Sequence, residues 1–548
     1  MTGQREIPTA TYRLQFNRTF TFRDAAAIVP YLSELGISHV YASPYLRARP
    51  GSMHGYDIID HNALNPDIGT AEDYEHFVAE LHRHGMRQIL DIVPNHMGVM
   101  GSDNAWWLDV LENGEASDFA SFFDIDWDPI KDELQGKVLI PILADQYGDE
   151  LEAGKLKVEF DAERGEFSIF YFQHRFPVVP RAYPSILEVD LERLKKTLGE
   201  SDGELLELQS IATAFGHLPG RRGLSAEEQA LRNREKEVQK RRLAALCARS
   251  AAAKEFIEGN IKLLNGTPGE PRSFDPLHDL IKAQVCRLAQ WRVAADDINY
   301  RRFFDINDLA ALRMENDAVF ENTHRLILKL VAEKKLDGVR IDHPDGLYDP
   351  AQYLNRLTQG LAESRPGEPA AYVVVEKILT GNERLRQDWP IDGTTGYEFA
   401  NLVNGLFVDA SAGEKMSRIY RAFAGDLPEY SDLVYRCKKL ILKVVLASEL
   451  NVLANLLTRI ALANRHTCDF TLNSLRSALA EIIASFPVYR TYVTGHEVSE
   501  EDRRYVEQAV AAGRRRSDAA DLSVFDFVRR VLLSEINGEE AEWYRRAV

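Results

Sequence analysis

The chain has 548 residues, 45% of them hydrophobic and 27% charged, with a formal net charge of −18. That length allows a large buried core and more than one domain. The acidic balance argues against phosphate backbones and anionic membranes as partners, so nucleic acid and membrane binding are set aside; a neutral ligand such as a sugar fits. Four cysteines, Cys247, Cys286, Cys437 and Cys468, have no CxxC spacing and read as reduced thiols. The N-terminus shows no cationic and apolar leader, and no run approaches the ~18 apolar residues of a membrane span. A cytoplasmic location is expected.

From residue 9 the chain alternates strand-like and helix-like segments. Residues 9–16 (TATYRLQF) are β-branched and aromatic, as a strand prefers. Residues 22–35 predict a helix stopped by Gly36, and residues 39–45 (HVYASPY) a second strand. Residues 71–84 form an amphipathic helix ended by Gly85, and residues 87–96 (RQILDIVPNH) a strand apolar on both faces. Such spacing means parallel pairing with crossovers. Open doubly wound sheets share the pattern with closed barrels, so periodicity alone leaves both.

The rhythm breaks after His96. Residues 101–200 look like an irregular insertion, and a charged helix follows, capped by Ser225 with Glu228 and running towards Glu258. Its basic run at 231–242 is interleaved with Glu235 and Glu237 and reads as a solvated face. Alternation resumes with a helix at 316–335, a strand and exit loop at 337–346 (DGVRIDHPDG), a helix at 349–364 and a strand at 371–379 (AYVVVEKIL). Residues 393–402 are the candidate sixth strand. From about 413 the chain reads as helical, with no clear seventh or eighth strand. The expected division is 1–100 and 271–412 as barrel, 101–270 as insertion, and 413–548 as a helical segment.

Asp342 and Glu376 end two apolar strands separated by one helix, where α/β folds put their sites. Two neighbouring carboxylates of unequal protonation suit glycosidic bond chemistry; structural ion pairs are the plainer reading. Arg340, two residues before Asp342 on the same strand face, is placed to hold that carboxylate anionic. Asp91, Asn95 and His96 close the third strand, with hydrogen bonds to sugar hydroxyls or simple polar satisfaction as their roles. Tyr56, after Gly55 in the loop SMHGYDIIDH, is a candidate ring platform or a packing residue, as are Trp106, Trp107 and Trp127. No ligand cluster has metal spacing.

Taken together, DIVPNH (91–96), GVRIDHPDG (338–346) and VVVEKIL (373–379) resemble three ordered sequence regions of the α-amylase family. SPYLRARPGSMHGYDIIDH and WRVAADDINYRRFFDINDLAALR narrow the resemblance to the maltooligosyltrehalose synthase branch, from about residue 8 onward. The resemblance implies a (β/α)8 TIM-type barrel, incomplete at its C-terminus, with a large insertion after the third strand. It implies an isomerase that turns the reducing-end α-1,4 linkage of a maltooligosaccharide into an α,α-1,1 linkage, without cofactor or metal, coupled in function to a trehalose-releasing hydrolase. Asp342 corresponds to the nucleophile and Glu376 to the general acid/base. Arg340 supports the nucleophile; Asp91 and His96 line the attacked glucose; Tyr56 stacks beneath it; His343 lies near the next sugar; Lys377 joins the substrate-binding set. The family's third carboxylate, in a His-Asp motif downstream of the acid/base, has no counterpart here. His278-Asp279 lies upstream in a helical context. The alternatives are a plain α-glucan hydrolase or transglycosylase and a shortened, inactive glucan-binding relative.

Overall fold

The structure, a computed structural model, describes residues 7–381, 383–425, 427–494, 498–519 and 521–536. It divides into two compact units, Met1–His96 with Leu312–Val548, and Met97–Ala311.

In the first unit six parallel strands form one sheet: β1 (Thr11–Leu14), β2 (His39–Ala42), β3 (Arg87–Ile92), β4 (Gly338–Ile341), β5 (Tyr372–Val375) and β6 (Gly393–Thr394). Each strand pairs with its predecessor in the sheet, and that order settles what periodicity left open. Doubly wound sheets reverse direction at a switch point, whereas a (β/α)8 barrel adds strands one way round. The sheet is six consecutive strands of a TIM-type barrel. The register is continuous across its middle: Arg340 pairs with Asp91 of β3 and with Val374 of β5.

Local chemistry sets the element ends. Thr21 with Asp24 and Thr70 with Asp73 form capping boxes that start α1 (Phe22–Glu34) and α2 (Ala71–Arg83). The two helices pack on each other through Phe22, Ala26 and Val29, and Tyr74, Phe77 and Leu81, which are all buried. β2 stops at Ala42, short of the expected residue 45, because Pro44 cannot donate to a ladder. β3 likewise stops at Ile92, before Pro94. The expected sixth strand is only two residues long, since Gly396 turns left-handed at φ 90° and Tyr397–Gly405 coils into a helix.

The helices of the later segment are α3 (Asp317–Ala332), α4 (Pro350–Ser364), α5 (Tyr397–Gly405), α6 (Gly413–Ala424), α7 (Tyr430–Val444), α8 (Ala447–Leu462), α9 (Leu472–Ala484), α10 (Glu500–Arg516) and α11 (Ser523–Leu532). Among the described residues beyond 413 every regular element is a helix. Leu457, Leu475, Leu479, Val506 and Phe525 share one core there. Among the described residues no single helix is long and apolar enough to cross a membrane; α7 and α8 pass together only across an 84° bend.

The second unit is more regular than its composition suggests. Residues 156–177 form a three-stranded antiparallel meander, and Trp107 is buried against Phe123 and Tyr300. The core reading of Trp107 therefore prevails. Trp106 stacks on Phe119, and Trp127 is half-buried. The long charged helix ends at Arg249, because Ser250 leaves helical geometry and caps a new helix through the Ala253 N–H. Its basic run is not a solvated face. Arg232, Lys236 and Lys240, spaced four apart, are buried; both lysines bind Glu112, at 2.8 and 2.5 Å, and the half-buried Glu237 lies 3.3 and 3.5 Å from them. The alternation of signs hid the four-residue period that selects the inner stripe. The unit runs to Ala311 and so takes in residues 271–311, which the sequence assigned to the barrel; Cys286–Gln290 pairs with Val138–Leu143, not with a barrel strand.

Candidate active site

The strand ends of the first unit carry a cluster of three carboxylates around one guanidinium. Asp342 and Glu376 each lie one residue beyond β4 and β5, and the ladder still holds them: the Asp342 N–H donates to Ile92 O and the Glu376 N–H to Ile341 O, both at 2.9 Å. Arg340 projects between them. Its Nη1 donates to Asp91 Oδ1 at 2.6 Å and to Asp342 Oδ1 at 2.8 Å, and its Nη2 lies 3.1 Å from Glu376 Oε1. A planar fork reaches three acceptors this way where a single ammonium would not. The 249-residue gap between Asp91 and Arg340 closes because their strands are neighbours.

Asp91, 1% exposed, is the most enclosed of the three acids. Its Oδ2 accepts from Tyr56 Oη at 2.6 Å, Tyr41 Oη at 3.0 Å and Arg13 Nη1 at 3.3 Å. Arg13 also donates to Tyr56 Oη at 3.0 Å and lies over the Tyr41 ring. Burial and the Asp91 charge raise the hydroxyl pKa of both tyrosines, so they remain donors. The loop presenting Tyr56 turns at Gly55, where φ is +79° and a Cβ would sit 2.4 Å from Pro44 O. Only glycine fits that approach.

Burial pushes the Asp342 carboxyl up to about 8; Arg340 opposes this, and the charges of Asp91 and Glu376 add to it. Arg340 binds Asp342 as the sequence suggests, but it does not keep that group ionised in the free site. Three acids share that one guanidinium, and it is on Asp342 that a proton is favoured.

Around this centre, Glu376 Oε2 accepts the His343 N–H at 3.1 Å, and Tyr397 Oη lies 3.4 Å from Glu376 Oε1. His343 is left-handed at φ 42°. Gly346 lets the loop fold under it, since a Cβ there would meet His343 Cδ2 at 2.4 Å and Asn95 Oδ1 at 2.5 Å. His96 is buried with Asn95 Nδ2 3.3 Å from its Nδ1. Lys377 does not join the cluster. Its ammonium, on a residue 2% exposed, binds Asp345 at 3.0 Å and Glu383 at 2.7 Å. Adjacency to Glu376 in sequence conceals this, because Lys377 lies past the strand end, where its N–H turns back to Val375 O at 3.1 Å.

Arg13, Tyr41 and Tyr397 escaped the sequence reading. The first two face Asp91 from β1 and β2, and strand alternation was the available signal. Also missed were Tyr489, Arg490 and Tyr492, which follow α9. Arg490 donates to Asp345 O at 2.8 Å, Tyr492 Oη to Asp345 Oδ1 at 2.5 Å, and the Tyr489 ring meets His343 edge to face. Together they brace the loop behind Asp342, and nothing local in sequence marks them.

The α-amylase catalytic domain model matches residues 26–187. A Mycobacterium tuberculosis protein named as a maltooligosyl trehalose synthase is 31% identical over 449 residues, 80% of this chain and 44% of that one. The maltooligosyltrehalose synthase structure from Arthrobacter ramosus superposes with a TM-score of 0.69 at 30% identity, covering 98% of this chain and 54% of that one. An intracellular maltogenic amylase of Bacillus subtilis is 37% identical over 103 residues, 19% of this chain and 17% of that one. The chain spans about half the length of its synthase relatives. By sequence and by fold the chain is thus similar to the α-amylase family, and over most of its own length to the maltooligosyltrehalose synthases.

Proposed function

We propose that the chain carries the carboxylate pair of an intramolecular transglucosylase, which converts the reducing-end α-1,4 linkage of a maltooligosaccharide into an α,α-1,1 linkage. The observation that carries this reading is Arg340, which holds Asp342 and Glu376 on one guanidinium at the mouth of two adjacent strands. A retaining pair works with its carboxylates roughly 5–5.5 Å apart, and a guanidinium in contact with both keeps these two close together. The names of the synthase relatives supply the substrate class.

In this reading the proton held by the cluster passes from Asp342 to Glu376 as the glucan seats. Glu376 gives it to the glycosidic oxygen while Asp342 bonds to the anomeric carbon, and the reducing-end glucose is released. That glucose turns in place and offers its anomeric hydroxyl. Glu376 takes the hydroxyl proton, the new C–O bond forms, and the ester to Asp342 breaks with net retention. Asp91, Tyr56 and Arg13 hold hydroxyls of the attacked sugar, and His343 and His96 flank it. Isomerisation rather than hydrolysis requires that the released glucose reach the ester before water does. A cytoplasmic location and coupling to a trehalose-releasing hydrolase complete the proposal.

Incubation with maltopentaose tests it. Isomerisation lowers the reducing-end count, hydrolysis raises it, and a binding-only protein leaves it unchanged; either of the last two outcomes refutes the isomerase. Asp342→Asn and Glu376→Gln should each lower turnover by several orders of magnitude, at least the ~10²–10⁴-fold of general acid–base catalysis.

A further inference from the structure

The second unit contains a cavity of about 920 Å³ formed by its own residues. That lies near the upper end of small-molecule sites, roughly 300–1,000 Å³. Three arginines line it: Arg181, Arg221 and Arg222. Arg222 is engaged, 2.7 Å from Glu115 and in contact with Asp128. Among the described residues Arg181 and Arg221 make no hydrogen bond or ion pair, and Arg221 Nη1 is buried without an acceptor. Asp279, also on the lining, pairs with neither.

The arginine stems are seated. Gly114 and Gly136 take φ of +61° and +64°; a Cβ on the first would lie 3.6 Å from Arg221 Cδ, and on the second 3.3 Å from Arg222 Cδ. Burial lowers the Arg221 pKa and Arg181 adds to this, against Cys286 and Glu115, which raise it; Arg221 and Arg181 also lower the buried Arg232. A half-buried guanidinium that bonds to no carboxylate, with one nitrogen lacking an acceptor and like charge nearby, is costly and leaves a place for an anion. Planar forks match phosphate oxygens two at a time. The lining also carries apolar side chains, Val179, Pro184, Val189, Leu264 and Leu280.

We propose that this cavity binds a small organic phosphate, its phosphate held by Arg221 and Arg181 and its organic part laid on the apolar side chains. Calorimetry on the full chain at fixed ionic strength tests it, with glucose 6-phosphate, adenosine monophosphate, inorganic phosphate and glucose as probes. At least one organic phosphate should bind tenfold or more tighter than inorganic phosphate, and glucose should not compete with it. The organic phosphate that binds tells a sugar phosphate from a nucleotide. Arg221→Gln should weaken binding by roughly tenfold or more, the worth of one charge-assisted pair. Arg181→Gln, at an exposed side chain, should weaken it with the fold unchanged. Binding of no organic phosphate, or equal binding by both variants and the parent, would overturn the assignment. The readout is binding alone, so it stands apart from the fate of maltopentaose.

Discussion

Replacing Asp342 by asparagine should make the protein inactive and, at alkaline pH, more stable. The carboxyl is 6% exposed and raised from 3.8 to about 8, first by burial and then by its acidic neighbours, against Arg340. The folded state therefore holds a proton that the unfolded chain has lost between about pH 4 and pH 8. This contribution is intact below pH 4 and disappears as pH rises through 8, with a slope of at most about 1.4 kcal/mol per pH unit. Four units set a ceiling of roughly 5–6 kcal/mol. Relaxation of the site around the ionised Asp342 lowers that ceiling, so a gain of about 1–3 kcal/mol is expected for the variant near pH 8.5. The substituted amide would keep the packing and leave Arg340 with Asp91 and Glu376, so three carboxylates become two beside Arg13 and Arg340. Urea unfolding of parent and variant near pH 5 and pH 8.5 measures the effect as a difference, which cancels other titrating groups. A variant less stable than the parent at pH 8.5, or a difference independent of pH, would refute the electrostatic reasoning.

Glu112→Gln should destabilise the second unit by about 3 kcal/mol or more, because buried Lys236 and Lys240 lose their shared counter-charge. Burial alone would raise Glu112, but Lys240 and Lys236 pull it down to about 2, so the pair's contribution persists in mild acid and is lost only between about pH 4.5 and 2; acid unfolding followed by circular dichroism checks both. Arg340→Lys should cut maltooligosaccharide turnover by about a hundredfold or more, since one ammonium cannot serve three carboxylates in a fixed fork. Gly346→Ala forces His343 and Asn95 apart and should cost about 1–3 kcal/mol with a parallel loss of turnover, read by thermal unfolding and the reducing-end assay.

What the sequence determined by itself was set by short-range chemistry. Side-chain period, capping residues and prolines are local, so α1, α2, β3, β4 and β5 were legible, and so was the position of Asp342 and Glu376 at strand ends. Only tertiary structure decided the order of the strands, and with it the barrel over the open sheet, because pairing partners lie up to hundreds of residues apart. The same holds for which way a polar side chain faces. Lys377 adjoins Glu376 in sequence yet is spent on Asp345 and Glu383, while Arg13 and Tyr41, remote in sequence, converge on Asp91. The charged run at 231–242 looked solvated for a related reason: burial of Arg232, Lys236 and Lys240 depends on Glu112 and Glu166 arriving from elsewhere in the chain. A charge becomes a core residue only when its counter-charge is delivered by the fold, and no window of neighbouring residues contains that information.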